Sequence, residues 1–216
     1  EPAASGLALL GEYHDPAWPD GIGVNVRVAD DRAYLARYQD GLRILDIADP
    51  AHIVEVGHAP TEDTTGREIY NDVKLVEAGG RRYAIVGSNL AGAVVWDVTT
   101  PAAPTIVAHL GTSVGGAPIN VHTLFVDGGK AYLANTDLGL EIYDVADPAA
   151  PVRLGEVRNP TASGDVFLHD LSVHGPRAYL NFWAAGMVIA DVSTPTAPTV
   201  VGTFAGYGET SSHSNW

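Results

Sequence analysis

Gly139-Leu140-Glu141-Ile142-Tyr143-Asp144-Val145-Ala146-Asp147-Pro148 decides the reading of this chain, because its second half recurs three more times. The copies are Asp46-Ile47-Ala48-Asp49-Pro50, Asp97-Val98-Thr99-Thr100-Pro101 and Asp191-Val192-Ser193-Thr194-Pro195. Successive aspartates stand 51, 47 and 47 residues apart, and Gly41, Gly92, Gly139 and Gly186 each precede one by five. Tyr34, Tyr83, Tyr132 and Tyr179 lie further upstream, and three copies add a second proline, as Pro101/Pro104, Pro148/Pro151 and Pro195/Pro198. A fixed period of this length marks a repeat architecture.

Within a unit the sequence reads as four short strands. Leu124-Phe125-Val126 or Leu171-Ser172-Val173 is the first, and a polar turn (Asp127-Gly128-Gly129, His174-Gly175) leads to a second, Ala131-Tyr132-Leu133-Ala134. The third is Leu140 to Tyr143 or Met187 to Ala190, and beyond the Asp-Pro turn comes a fourth, Val152 to Val157. Val-, Ile-, Leu- and Tyr-rich segments punctuated by Gly, Pro and Asp predict β structure throughout, with no helix of useful length.

One four-stranded sheet cannot hide both faces, so units of this size are expected to stack around an axis. The expectation is an all-β chain, a β-propeller of four-stranded blades, over residues 1–216 as one domain or partial ring. Repeat units fall near 14–58, 59–111, 112–158 and 159–206. A stacked β-solenoid is the other architecture considered, but its coils are usually shorter than these repeats. Residues 7–13 match a fourth strand and would close a blade from outside, while 207–216 match the opening of a further unit. The expected object is about four blades plus part of a fifth, a piece of a larger ring whose open edges would self-associate.

The composition narrows the partners. With 46% hydrophobic and 18% charged residues the 216-residue chain can bury a core. Its net charge of −14 would repel a phosphate backbone, and no basic cluster exceeds Arg81 with Arg82, so nucleic acid is not an expected partner. There is no cysteine, which excludes disulfides, thiolate nucleophiles and Cys-ligated metal. No apolar run approaches the roughly 20 residues of a membrane-spanning helix. Glu1-Pro2-Ala3-Ala4-Ser5 would suit the start of an exported mature chain.

The repeated aspartates are expected to cap the turns that follow them, and the tyrosines to pack between blades. The phrase Gly-Leu-x-Ile-x-Asp-Val/Ile, as in Gly41 to Ile47 and Gly139 to Val145, with Ala-Tyr-Leu upstream and Asp-Pro-x-x-Pro downstream, resembles the LVIVD-repeat proteins. Gly92 and Gly186 open weaker copies, with Ala93 and Met187 in place of the leucine. The resemblance implies a β-propeller-like fold and an exported or cell-surface location in bacteria or archaea. It carries no catalytic motif to transfer.

In a propeller the start of each innermost strand and the loop between second and third strands lie on one face around the channel. The strand-opening position here is Val24, Asn71, His122, His169 and His213 in successive units, and the loops add Asn89, Asn135, Asp137, Asn181 and Trp183. Asn71, His122, His169, His213, Asn135, Asp137, Asn181 and Trp183 are therefore the expected ligand-binding face. His122, His169 and His213 would suit a divalent ion such as Zn²⁺, with Asp170 or Asn71 beside them. The plainer explanation is that duplication copied a histidine that bonds the next blade. His14, His52, His58, His109 and His174 show no metal spacing, and nucleophile-elbow and phosphate-loop motifs are absent.

The function expected from these residues is a binding or interaction scaffold at the cell surface, for an unidentified protein, glycan or small molecule. The alternatives are a metal-dependent hydrolase or lyase, with the histidines holding the ion and Asp170 as base, and a purely structural envelope module.

Overall fold

Residues 6, 8–19, 21–158, 167–205 and 211–215 are described by the computed structural model. Among them sixteen strands form four antiparallel sheets, and there is no helix. The first sheet is β1 (Gly23–Ala29), β2 (Arg32–Arg37), β3 (Gly41–Asp46) and β4 (Val54–Ala59). The second is β5 (Tyr70–Ala78), β6 (Arg81–Ser88), β7 (Gly92–Asp97) and β8 (Thr105–Leu110). The third is β9 (Val121–Asp127), β10 (Lys130–Asn135), β11 (Gly139–Asp144) and β12 (Val152–Arg158), and the fourth β13 (Asp170–His174), β14 (Arg177–Asn181), β15 (Met187–Asp191) and β16 (Thr199–Phe204). Each sheet runs as a simple meander in sequence order, the arrangement of a propeller blade.

The recurring residues have local causes. Asp46, Asp97, Asp144 and Asp191 each accept a hydrogen bond from the backbone N–H two residues on, at 3.0, 3.0, 2.8 and 2.9 Å, so all four cap the turn that ends the third strand. The glycine opening that strand is needed twice over. Gly139 has φ +116°, and a Cβ there would stand 2.4 Å from the Val157 carbonyl oxygen; Gly41 and Gly92 are in the same situation.

Apolar side chains meet between blades rather than within one. Tyr34, Leu42 and Ile44 of the first sheet pack with Val73, Val86, Val94 and Trp96 of the second. Ile85 and Val95 meet Leu124, Leu133 and Val145, and Tyr132 and Ile142 meet Leu171, Leu180 and Phe182. Strand β7 is buried along its whole length, because blades cover it on both sides. Tyr34, Tyr132 and Tyr179 pair across the sheet with Ile44, Ile142 and Ile189. In the second blade Ile85 opposite Val95 takes that place, and Tyr83, opposite Asp97, is two residues out of phase.

Side chains stitch the innermost strands. Asn25 donates to Asp72 at 2.6 Å, the other Asp72 oxygen accepts the Leu124 N–H at 2.9 Å, and the Thr123 hydroxyl donates to the His169 carbonyl at 3.0 Å. Strand register puts Val24, Asn71, His122 and His169 at equivalent positions beside these links.

Residues 8–13 of the expected outer strand are not in a strand, since a strand needs hydrogen-bonded neighbours and none lies beside them among the described residues. Even so, Gly11 lies against Pro50 as Gly57 of β4 lies against Pro101. Residues 1–5 and 7, the start of the unit beginning at 159, and residues 207–210 and 216 lie outside the described residues. Among the described residues no helix is long and apolar enough to cross a membrane. The first blade leaves Val24, Val26 and Val28 exposed, and the fourth leaves Val200, Val201 and Phe204 exposed.

Blade-to-blade contact is close enough to test with one methyl group. A Cβ on Gly57 would come 1.8 Å from the Pro101 carbonyl oxygen, and on Gly155 2.3 Å from that of Pro195. Gly202 holds the same register position in the fourth blade, where a Cβ would meet only Ile189 at 3.7 Å. Gly57→Ala and Gly155→Ala are expected to destabilise the protein by roughly 2 kcal/mol or more in urea melts. Gly202→Ala should be neutral or gain a few tenths of a kcal/mol through the unfolded chain; equal losses at all three would contradict this packing.

Candidate functional site: rings at the channel mouth

The inner-strand register brings the three histidines together. The His169 ring lies between the other two, 4.4 Å from His122 and 4.1 Å from His213 between centroids. Trp183 stands 4.8 Å from His169 and 5.6 Å from His213, and Phe167 stacks on Trp183 at 5.2 Å. Four of these five rings line a cavity of about 410 Å³, whose walls are Asn120, His122, Thr136, Asp137, Phe167, His169 and Trp183; His213 packs behind His169 and Trp183.

Trp183 sits on a strained turn, with φ +34°, a left-handed conformation uncommon for a bulky side chain. The turn is tied by the Phe182 N–H, which donates to the Gly186 carbonyl at 2.8 Å, and by Ser212, whose N–H donates to the Trp183 carbonyl at 2.9 Å. That second bond also fixes the 211–215 segment, which places His213 against His169. His169 Nδ1 bonds the His213 carbonyl at 2.9 Å. A carbonyl only accepts, so Nδ1 carries the proton and, in the neutral ring, Nε2 is left as an acceptor.

The protonation state follows from burial. Burial pushes His122 down to about 4; its imidazole neighbours His169 and His213 act in the same direction, and Asp72 acts against them. His169 is also lowered, first by burial and then by His213, while its bond to the His213 carbonyl and the charge of Asp170 oppose the shift. Both rings are neutral at physiological pH.

The other expected residues divide into two groups. Asp137 is exposed at the lip of the cavity. Asn71 is half-buried at the corresponding point of the second blade, and the exposed Val24 holds that place in the first. Asn135 is turned inward: its amide donates to Glu141 at 2.8 Å and to the Thr112 carbonyl at 3.1 Å, and its oxygen accepts the Asp137 N–H at 3.2 Å. Burial raises Glu141, but bonds from Thr112, Arg153 and Asn135 outweigh it and leave the carboxyl below its ordinary range. Asn181 is fully buried, and its oxygen accepts the Ser212 hydroxyl at 2.7 Å. Both asparagines brace the loops behind the cavity. Asn89 does the same in the second blade, accepting the Ile69 N–H at 2.7 Å.

Phe167, Asn120 and Thr136 were not among the expected residues. Phe167 and Asn120 each lie two positions before the strand-opening histidine of their own repeat, so the same in-phase comparison carried two residues upstream points to both. Among the described residues no group of three or more His, Asp or Glu side chains is arranged to hold a metal ion. The imidazoles pack ring against ring.

Four meandering sheets whose first strands stand side by side, with a ringed cavity at the strand openings, define the β-propeller class of repeat protein. The LVIVD repeat profile matches residues 20–61, 120–158 and 167–205, and the chain belongs to that family. The unmatched second blade is the one whose tyrosine is out of phase. No curated protein matches the chain. Among solved structures, Raptor of Chaetomium thermophilum is similar with a TM-score of 0.71 at 9% identity, over 91% of this chain and 18% of that one. The Cps50 (Swd1) β-propeller domain of Myceliophthora thermophila gives 0.58 at 12%, over 83% and 59%. The computationally designed Ika4 protein gives 0.56 at 8%, over 92% and 99%. The chain thus spans less than two thirds of the first two, and these likenesses concern the fold alone.

The neutral imidazoles make a pH prediction. An unfolded histidine titrates near 6.5, and folding lowers His122, so its stabilising contribution is complete above about 6.5 and is lost as pH falls toward 4. His122→Asn, the residue the second blade carries there, should shrink the stability loss between pH 7 and pH 4 by roughly 1–3 kcal/mol in urea melts. Carboxylate effects are common to both proteins and cancel. An unchanged pH profile would refute the assignment.

Proposed function

We propose that this protein is an exported or cell-surface β-propeller that works as a binding scaffold, with the ringed cavity at the channel mouth as its ligand site. The observation that carries the reading is the meeting of His122, His169, Phe167 and Trp183 around an open cavity of about 410 Å³, with His213 packed against His169. Sites of this kind combine apolar rings with a few polar groups that fix orientation, here Asn120, Thr136 and Asp137. A strained Trp183 agrees with that role, because strained backbone clusters at binding sites.

The family resemblance supports export. The exposed valines of the first blade and the exposed outer strand of the fourth support self-association through the blade faces. Sedimentation velocity should then show concentration-dependent species larger than 22.6 kDa; a monomer boundary at every concentration would remove that element.

One observation favours a second reading, a metal-dependent hydrolase or lyase: three imidazoles in mutual contact, with His169 Nε2 left as an acceptor. Rotation of the rings would have to turn packing into coordination. A single experiment separates the two readings. The protein is screened by saturation-transfer NMR against monosaccharides, amino acids and alkylamines, and separately assayed for bound Zn²⁺ and Zn²⁺-dependent ester hydrolysis. Scaffold binding predicts at least one organic binder whose affinity falls tenfold or more in Trp183→Ala and is unchanged in the distant Trp18→Phe. The metal reading predicts Zn²⁺ uptake that the double variant His122→Ala, His169→Ala abolishes, and equal metal content in the two proteins would end it.

A further inference from the structure

We propose that the ligand of this site is a soft organic cation, an alkyl- or quaternary ammonium group, seated among Phe167, Trp183, His122 and His169 and balanced by Asp137. The inference rests on the ligand-site reading above and adds the charge and chemical class of what binds. None of the seven cavity-lining residues carries a permanent positive charge, and the one formal charge among them is the exposed Asp137 carboxylate.

The surroundings agree in sign. Asp72 and Asp170 both act on the imidazoles in the direction that favours positive charge, Asp72 on His122 and Asp170 on His169. Asp72 is matched by its ion pair with Lys74. Asp170 accepts the Leu171 N–H at 2.8 Å and is shared electrostatically with the same Lys74, so the carboxylate at the cavity itself, Asp137, carries the charge argument. The whole chain carries −14, so the field outside the site points the same way.

The rings supply the other half of the recognition. Aromatic faces attract a diffuse cation through their quadrupole, and the attraction strengthens where water is excluded. A buried neutral imidazole behaves as an additional aromatic wall, and His169 also offers the unprotonated Nε2 as an acceptor. An anion would meet Asp137 and rings that burial keeps uncharged. A neutral apolar molecule would use the rings but gain nothing from Asp137. Only an organic cation draws on every feature, and about 410 Å³ holds a trimethylammonium head with a short polar tail.

The test titrates the full chain with choline chloride, with 3,3-dimethylbutan-1-ol as the neutral molecule of the same shape, and with sodium acetate as an anion, read by tryptophan fluorescence and saturation-transfer NMR. Choline should bind at least tenfold more tightly than the neutral analogue. Asp137→Asn should weaken choline at least fivefold and leave the alcohol unchanged, and Trp183→Ala should weaken both, with Trp183→Phe partly restoring them. Thermal melts confirm that each variant is folded; should Trp183→Ala not fold, Trp183→Phe and Asp137→Asn decide. Equal binding of choline and the alcohol, tighter binding of acetate, or indifference of choline to Asp137→Asn would overturn the proposal. If the alcohol or acetate binds in a Trp183-dependent way, the ligand site stands and its charge preference falls. If no probe of any charge binds, both fall.

Discussion

A four-stranded sheet with two apolar faces has no stable existence in water alone, and this protein is built from the consequence. The strand that shows it best is β7, buried from Gly92 to Asp97 because a blade covers each of its faces. Where the packing is tightest, the outer strand of one blade lies directly on the Thr-Pro turn of the next, as Gly57 does on Pro101 and Gly155 on Pro195. The repeated turn is therefore both the end of one strand and the seat of the neighbouring blade. Its aspartate caps that turn, and the glycine at the head of the strand allows close approach to the blade's own fourth strand.

Stacking sheets this way forces their first strands toward a common axis. Once there, backbone and side-chain groups must satisfy one another, and the links from Asn25 to Asp72, from Leu124 to Asp72 and from Thr123 to His169 do so. Each link fixes the height of one inner strand against the next, so residues at equivalent repeat positions arrive at one level. The contact among His122, His169 and His213 follows from that levelling. The strained turn at Trp183 is held by backbone bonds from both sides, which lets an aromatic ring be presented to the cavity without freedom to fold away.

Much of this architecture was legible in the amino-acid order, because its signals are local. A turn that needs Asp at one place and a strand that needs Gly at another repeat visibly whenever the unit repeats. The second blade shows where such reading weakens. Its tyrosine keeps the type but not the phase, and only hydrogen-bond register reveals Ile85 in the place held elsewhere by Tyr34, Tyr132 and Tyr179. At the site, height along the axis was legible and side-chain direction was not. Asn135 and Asn181 share the right loops with Asp137 and Trp183, yet Glu141 and Ser212 draw them inward. Phe167 was missed because the comparison began at the strand opening, although a two-residue offset from His169 is as regular as the histidines themselves.

Whether packed imidazoles act as metal ligands or as walls depends on what else competes for their nitrogens. His169 has one nitrogen committed to the His213 carbonyl, and burial holds His122 neutral down to about 4. A ring so constrained keeps a lone pair and an aromatic face but has no charge to offer an anion. The acidic groups nearby are arranged unequally: Asp72 is paired with Lys74, which also feels the charge of Asp170, while Asp137 stands exposed at the lip of the cavity. The balance at the cavity is therefore set by the Asp137 carboxylate, the aromatic rings of Phe167 and Trp183, and the neutral imidazoles of His122 and His169. The same burial that stabilises the blades keeps His122 and His169 uncharged, so the fold and the electrostatic character of the site have one cause.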